Sequence, residues 1–151
     1  MQIKIYTIEK SSDNNLDSAI KEFVKMISRF ASVEEIKIFN KNIAQAQSIG
    51  EKEARASYTK AYEPFLKGYN IALDVEGLHV KSEEFSLFFD NESTVNFFIG
   101  GAFGFESAFL EQTQKVVSLS TLTYAHKIAK VVLYEQIYRG LCIKNNHPYH
   151  K

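Results

Sequence analysis

The chain has 151 residues and 18 acidic against 18 basic side chains, a net charge of zero that argues against a protein coating nucleic acid by itself. Hydrophobic residues at 45% and charged residues at 24% suit one compact domain with a real core and exclude intrinsic disorder. The single cysteine, Cys142, excludes an internal disulfide framework and a cysteine-based metal site, and no run approaches the ~20 apolar residues that span a bilayer.

The opening MQIKIYTIEK carries Lys4, Glu9 and Lys10 and no long apolar run, so it does not read as a signal peptide, and a reducing cytosol is the expected compartment. Gln2–Ile8 alternates Ile3, Ile5 and Thr7 with Lys4 and Tyr6 and predicts a strand. Residues 11–15 read as a polar turn. Asp17 then stands where it would cap a helix from Ser18 to Phe30, in which Ile20, Phe23, Val24, Ile27 and Phe30 recur at helical spacing. A short strand is predicted at Glu35–Phe39. Ile43–Lys67 is rich in Ala, Glu, Lys and Gln and helical by propensity, with Pro64 set to bend or end it and Gly68 to stop it.

Beyond Gly68 the pattern predicts a strand at Ile71–Val75 and a helix capped by Ser82 that runs to Phe88, with Glu83 and Glu84 in its first turn. A strand at Thr94–Ile99 runs into Gly100, Gly101 and Gly104, and a short helix is predicted at Ser107–Gln114. Val116–Leu122 reads as the last strand and Ile128–Ile143 as the last helix, before a tail over 145–151. Short apolar runs alternating with amphipathic segments are the pattern of an α/β domain. Cys142, between Leu141 and Ile143, reads as a buried thiol.

Charge is unevenly spread. Residues 70–114 carry Lys81 against eight acids, and residues 115–151 carry six basic residues against Glu135 alone. The C-terminal block could face phosphate or simply be a solvated helix face.

Three segments carry possible chemistry. The glycines at 100, 101 and 104 would let backbone approach a ligand, although they match neither the dinucleotide nor the P-loop spacing and also suit a plain tight turn. Leu119-Ser120-Thr121-Leu122-Thr123-Tyr124-Ala125-His126 interleaves hydroxyls with leucines and could wall a base, or could simply end a buried strand. The tail Asn145-Asn146-His147-Pro148-Tyr149-His150-Lys151 has rings that can stack on a base and a lysine that can meet a phosphate. Metal binding by His147 and His150 has no neighbouring carboxylate or cysteine in sequence to support it.

Taken in order, these segments resemble one family, the ribosomal RNA large subunit methyltransferase H family of the SPOUT class. The resemblance rests on Ala72-Leu73-Asp74 with Gly77, Phe98-Ile99-Gly100-Gly101 with Gly104, and Leu119 through Thr123 with His126. It continues through Glu135-Gln136-Ile137-Tyr138-Arg139 and the ending Asn146 through Lys151, and so covers essentially the whole chain. It implies an α/β SPOUT-type fold with a mainly parallel sheet flanked by helices and a C-terminal trefoil knot, an exception to the usual avoidance of knots. The implied activity is transfer of a methyl group from S-adenosylmethionine to N3 of a pseudouridine in 23S rRNA, by a homodimer acting in the cytoplasm on the ribosome, with no membrane or metal involved.

Carried over by position, the resemblance implies cofactor contacts from Leu73, Gly100, Leu119, Ser120, Thr121, Leu122, Thr123 and Tyr124. It implies catalytic roles for His126, Arg139 and His150 and substrate contacts from Arg139, Tyr149, His150 and Lys151. An ion pair on the helix surface is the plainer role for Arg139. Two positions depart from the family pattern, Ala125 in place of proline and Lys130 in place of arginine, and both bear on the shape of the pocket rim. A non-catalytic ribosome-binding factor and a SPOUT methyltransferase acting on tRNA stand as alternatives.

Overall fold

The computed structural model describes residues 1–10, 15–90 and 92–151, so most of the turn expected over 11–15 lies outside the described residues. Five strands form one parallel sheet in the order β2-β1-β4-β3-β5: β1 Gln2–Ile8, β2 Ser32–Ile38, β3 Tyr69–His79, β4 Thr94–Ile99 and β5 Lys115–Ser118. The helices are α1 Asp17–Ile27, α2 Lys41–Ile49, α3 Glu51–Tyr62, α4 Ser82–Ser86, α5 Ser107–Leu110 and α6 His126–Lys144. Among the described residues, no helix is long and apolar enough to cross a membrane.

Period-2 alternation builds the core on both sides of the sheet, as a parallel sheet requires. Ile3, Ile5, Ile71, Val95 and Phe97 join a cluster with α1, α4 and α6, while their neighbours Tyr6, Ala72 and Phe98 join a second cluster with Tyr58, Tyr62 and Phe109 of α3 and α5. The predicted α/β class with a parallel sheet between helices is what the chain adopts.

Several boundaries differ from the pattern-based expectation. The helix expected over 43–67 is two helices broken at Gly50, which ends α2 and starts α3, and Pro64 sits in a 3-10 turn, Glu63–Phe65, that ends the run. The side chain of Asn40 caps α2 by accepting the Ile43 amide at 2.9 Å. Leu16 is the N-cap residue of α1, with Asp17 inside its first turn. Ser82 does not cap α4. Lys81 is the N-cap residue, its amide bonds the Glu84 carboxylate at 2.8 Å, and the Ser82 hydroxyl donates to Gln136 Oε1 of α6 at 2.8 Å.

Two differences shape the site. β5 ends at Ser118, so residues 119–122 leave the sheet as a loop. β3 runs on to His79, but Leu73 and Leu78 both pair with Val117, so the segment between them loops out of the ladder. Gly77 makes that detour possible: a Cβ there would lie 2.7 Å from the Val117 backbone.

Candidate functional site

The loops that follow β3, β4 and β5 meet at one end of the sheet. In open α/β sheets ligands bind outside the carboxyl ends of the strands, and a cleft of about 320 Å³ lies there, within the size range of small-molecule sites. Its walls come from Leu73, Asp74 and Val75 after β3, Ile99 to Ala102 with Gly104 after β4, and Ser118 to Ser120 with Leu122 to Tyr124 after β5. His126 and Ala129 of α6 complete it.

Local chemistry holds each loop. The Gly101 carbonyl accepts the Gly104 amide at 3.0 Å, and Gly104 takes a φ of +76°, a left-handed conformation that favours glycine. From α3, the Tyr62 hydroxyl donates to the Ile99 carbonyl at 2.6 Å and Arg55 Nε donates to the Phe103 carbonyl at 2.7 Å. After β5, the Ser118 hydroxyl donates to the Ser120 carbonyl at 2.8 Å and Ser120 Oγ accepts the Leu122 amide at 3.0 Å, so these hydroxyls shape the loop themselves.

Seven of the eight residues expected to surround a cofactor line this cleft: Leu73, Gly100, Leu119, Ser120, Leu122, Thr123 and Tyr124. Thr121 is exposed and is not among the lining residues. The fit of such a group is favourable: apolar walls from Leu73, Ile99, Leu119 and Leu122, a rim of glycine backbone, and a carboxylate from Asp74.

His126 is the first residue of α6. Its Nδ1 lies 3.2 Å from Glu9 Oε2, and its Nε2 is shielded from solvent and has no hydrogen-bond partner among the described residues. Glu9, just past β1, also accepts from Lys130 Nζ at 2.7 Å and lies 3.4 Å from Lys37. Lys130 is fully buried and reaches Glu35 Oε1 of β2 at 2.6 Å. Burial pushes the Glu9 carboxyl up, but the contacts of His126 and Lys130 outweigh it and hold it down at about 2. Burial also works against the Lys130 ammonium, and the two carboxylates outweigh that and raise its pKa.

The two departures from the family pattern therefore sit differently from expectation. Lys130 lies in the interior behind His126 rather than on the rim, where an ammonium's three donors serve two separate carboxylates. Ala125, the N-cap residue of α6, has φ −57° and ψ 145°, within the range proline imposes.

The remaining candidates stand elsewhere. Arg139 is 13 residues along α6 from His126, about 20 Å at a helix's rise per residue. There its Nε and Nη2 bond Glu135 Oε1 at 3.1 and 2.5 Å, its Nη1 lies 3.3 Å from His150 Nδ1, and its guanidinium sits 4.7 Å over the Tyr149 ring. Tyr149 donates to the same Glu135 oxygen at 3.0 Å, and His150 Nε2 is 3.1 Å from Glu83. Burial, then the bond to Glu135, raises the Tyr149 phenol. Lys151 is exposed, and His147 packs against the rings of Phe30 and Tyr138.

One chain thus holds two groups: His126 with the cleft, and Arg139, Tyr149 and His150 at the far end of α6. Glu135 organises the second group, and its i,i+4 spacing from Arg139 is readable in sequence. Glu9 gives no such signal, because its partners at 126 and 130 are more than a hundred residues away.

The model of the family described as "Predicted SPOUT methyltransferase" matches residues 1–150. A protein of Aliarcobacter butzleri (strain RM4018) named ribosomal RNA large subunit methyltransferase H is 60% identical over 151 residues, all of both chains. Proteins of the same name from Campylobacter concisus and Campylobacter fetus are 49% and 48% identical, again over all of both chains. With matches of this extent, the chain belongs to the SPOUT methyltransferase family, among the ribosomal RNA large subunit methyltransferases H.

Proposed function

We propose that this protein methylates N3 of a pseudouridine in 23S rRNA, in the cytoplasm and on the assembled ribosome, with S-adenosylmethionine as donor. The observation that carries the reading is the cleft at the carboxyl ends of β3, β4 and β5, where Leu73, Gly100, Leu119, Ser120 and Leu122 through Tyr124 come from three separated loops. Leu73, Leu119 and Leu122 would flank the adenine, backbone groups of the loops would read its edge, and the glycines would leave room for the bent methionine arm. The convergence of these loops also supports a trefoil knot in the C-terminal half.

The donor supplies a methyl group on a sulfonium, which needs in-line positioning and removal of the N3 proton, not a covalent intermediate. Two groups about 20 Å apart on α6 cannot serve one base within a single chain. We infer a homodimer in which Arg139, Tyr149, His150 and Lys151 of one subunit face the cleft of the other. The exposed Val75, Leu78, Leu122 and Ile128 beside the cleft and at the start of α6 supply apolar surface for that contact. Arg139 would then stabilise negative charge developing on the uracil, Tyr149 and His150 would contact the base, and Lys151 the backbone phosphate.

Binding of labelled S-adenosylmethionine, followed by mass spectrometry of 23S rRNA from cells lacking the protein, tests the reading. Binding and one missing methyl group on a pseudouridine are expected. Binding with fully methylated rRNA would favour a non-catalytic ribosome-binding factor, and transfer to free tRNA instead of ribosomes would favour the tRNA alternative. Arg139→Ala should lower methyl transfer to ribosomes about a hundredfold.

A further inference from the structure

We propose that Glu9 is the positioning residue for His126, holding its ring in the Nδ1–H tautomer so that Nε2 serves as the proton acceptor at the cleft, with Lys130 and Glu35 fixing the carboxylate. The inference rests on the methyl-transfer reading above and deepens it.

The sheet puts Glu9 within reach. In the β1–β4 ladder Thr7 pairs with Ile99, so the residues just past β1 stand level with the Gly100 loop at the same sheet end as the cleft. There Glu9 Oε2 lies 3.2 Å from His126 Nδ1, a charge contact outside hydrogen-bond alignment that still favours the proton on Nδ1, because a lone pair there would face the carboxylate's negative charge. The opposite nitrogen, Nε2, is shielded and has no hydrogen-bond partner among the described residues, on a side chain that lines the cleft. A buried ring nitrogen left unpaired is costly unless a ligand group completes it.

His126 is the first residue of the 19-residue α6, and that position brings its Nδ1 to within 3.2 Å of Glu9 Oε2. Among the described residues, the groups that face Glu9 are Lys130, Tyr134 and His126 from α6, Lys37 and Glu35 from β2, and Tyr62 from α3. Lys130, fully buried between Glu9 and Glu35, prevents the carboxylate from swinging away from the ring.

In the reaction the N3–H bond would break and its proton bond to Nε2, while the electron pair left on N3 forms the bond to the methyl carbon and the pair of the broken sulfur–methyl bond stays on sulfur as a neutral thioether. Glu9 keeps its negative charge throughout and stabilises the imidazolium that forms.

Nitrogen-15 NMR of the four histidines at a pH where imidazole is neutral reads the tautomer directly. His126 is expected as Nδ1–H in the native protein and mostly Nε2–H, the form free imidazole side chains prefer, in Glu9→Ala. An Nε2–H tautomer in the native protein, or an unchanged one in Glu9→Ala, overturns the proposal. Should Glu9→Ala fail to fold, Glu9→Gln keeps the shape and removes the charge. Its kcat for ribosome methylation should fall at least tenfold with an unchanged KM for S-adenosylmethionine, and an unchanged kcat overturns the proposal as well. Absence of S-adenosylmethionine binding to the native protein would instead strike the methyl-transfer reading, while the tautomer measurement would still judge Glu9.

Discussion

At the scale of single residues, Lys130 shows how a buried charge is kept. It is inaccessible to solvent, yet two carboxylates meet its ammonium at 2.6 and 2.7 Å. Lys130→Ala would remove the ammonium that bridges Glu9 and Glu35, leaving Lys37 3.4 Å from Glu9, and denaturant unfolding should register a loss of about 3–5 kcal/mol. The same cluster gives the protein an acid limit. The folded-state pKa of Glu9, about 2, lies below its ordinary 4.5, so its contribution is present above 4.5 and is lost as pH falls toward 2. That contribution is on the order of 2–3 kcal/mol, and Glu9→Gln should flatten the acid limb of a stability–pH curve by a like amount. Ala125→Pro should add about 0.4–1 kcal/mol, because the native φ of −57° already suits proline. Thermal melts of the two proteins check this. Cys142, by contrast, is buried with its thiol pKa raised by burial, the inert role its neighbours suggested.

At the scale of elements, the loops of the cleft are held by close backbone approach. The detour between Leu73 and Leu78 needs Gly77 against the Val117 backbone, and the turn after β4 needs Gly101 against the Tyr58 ring, where a Cβ would come within 2.4 Å. Gly101→Ala should therefore cost about 1–3 kcal/mol in chemical denaturation and weaken S-adenosylmethionine binding, since Tyr58 is fully buried and has nowhere to move. α6 carries His126 at the cleft and Arg139 13 residues further along. Its first turn touches the cleft, and its later turns bury Leu133, Ile137 and Leu141 against α1 and α4. Gly140 lets it approach Phe89 closely. The helix was legible from its apolar spacing, as was β4 to its exact ends, because local periodicity specifies both. The break at Gly50 and the early end of β5 were not legible. Propensity favours helix across Gly50's neighbours, and Leu119 to Leu122 look like strand until one sees that no strand among the described residues pairs with them.

At the scale of the whole molecule, zero net charge and a divided site point the same way. Arg139, Tyr149 and His150 lie apart from the cleft on one chain, the observation behind the proposed homodimer with a shared site. Mixing Arg139→Ala with His126→Ala subunits tests this: each homodimer should lose nearly all activity, while a mixed dimer should regain one intact cleft-and-tail pair. Random reassortment of equal amounts should restore about a quarter of native methylation, and no recovery would reject the shared site. Sequence alone determined the α/β class, most elements, the family, and the segments that surround the cleft, because strand and helix periodicity and short motifs are local properties of the chain. Only the tertiary structure decided that Thr121 stays outside the cleft, that Arg139, Tyr149 and His150 stand away from it, and that Glu9 and Lys130 stand behind His126. Those relations join residues as many as 121 positions apart, and the stacking order of the sheet, not any neighbourhood in sequence, brings them together or keeps them apart.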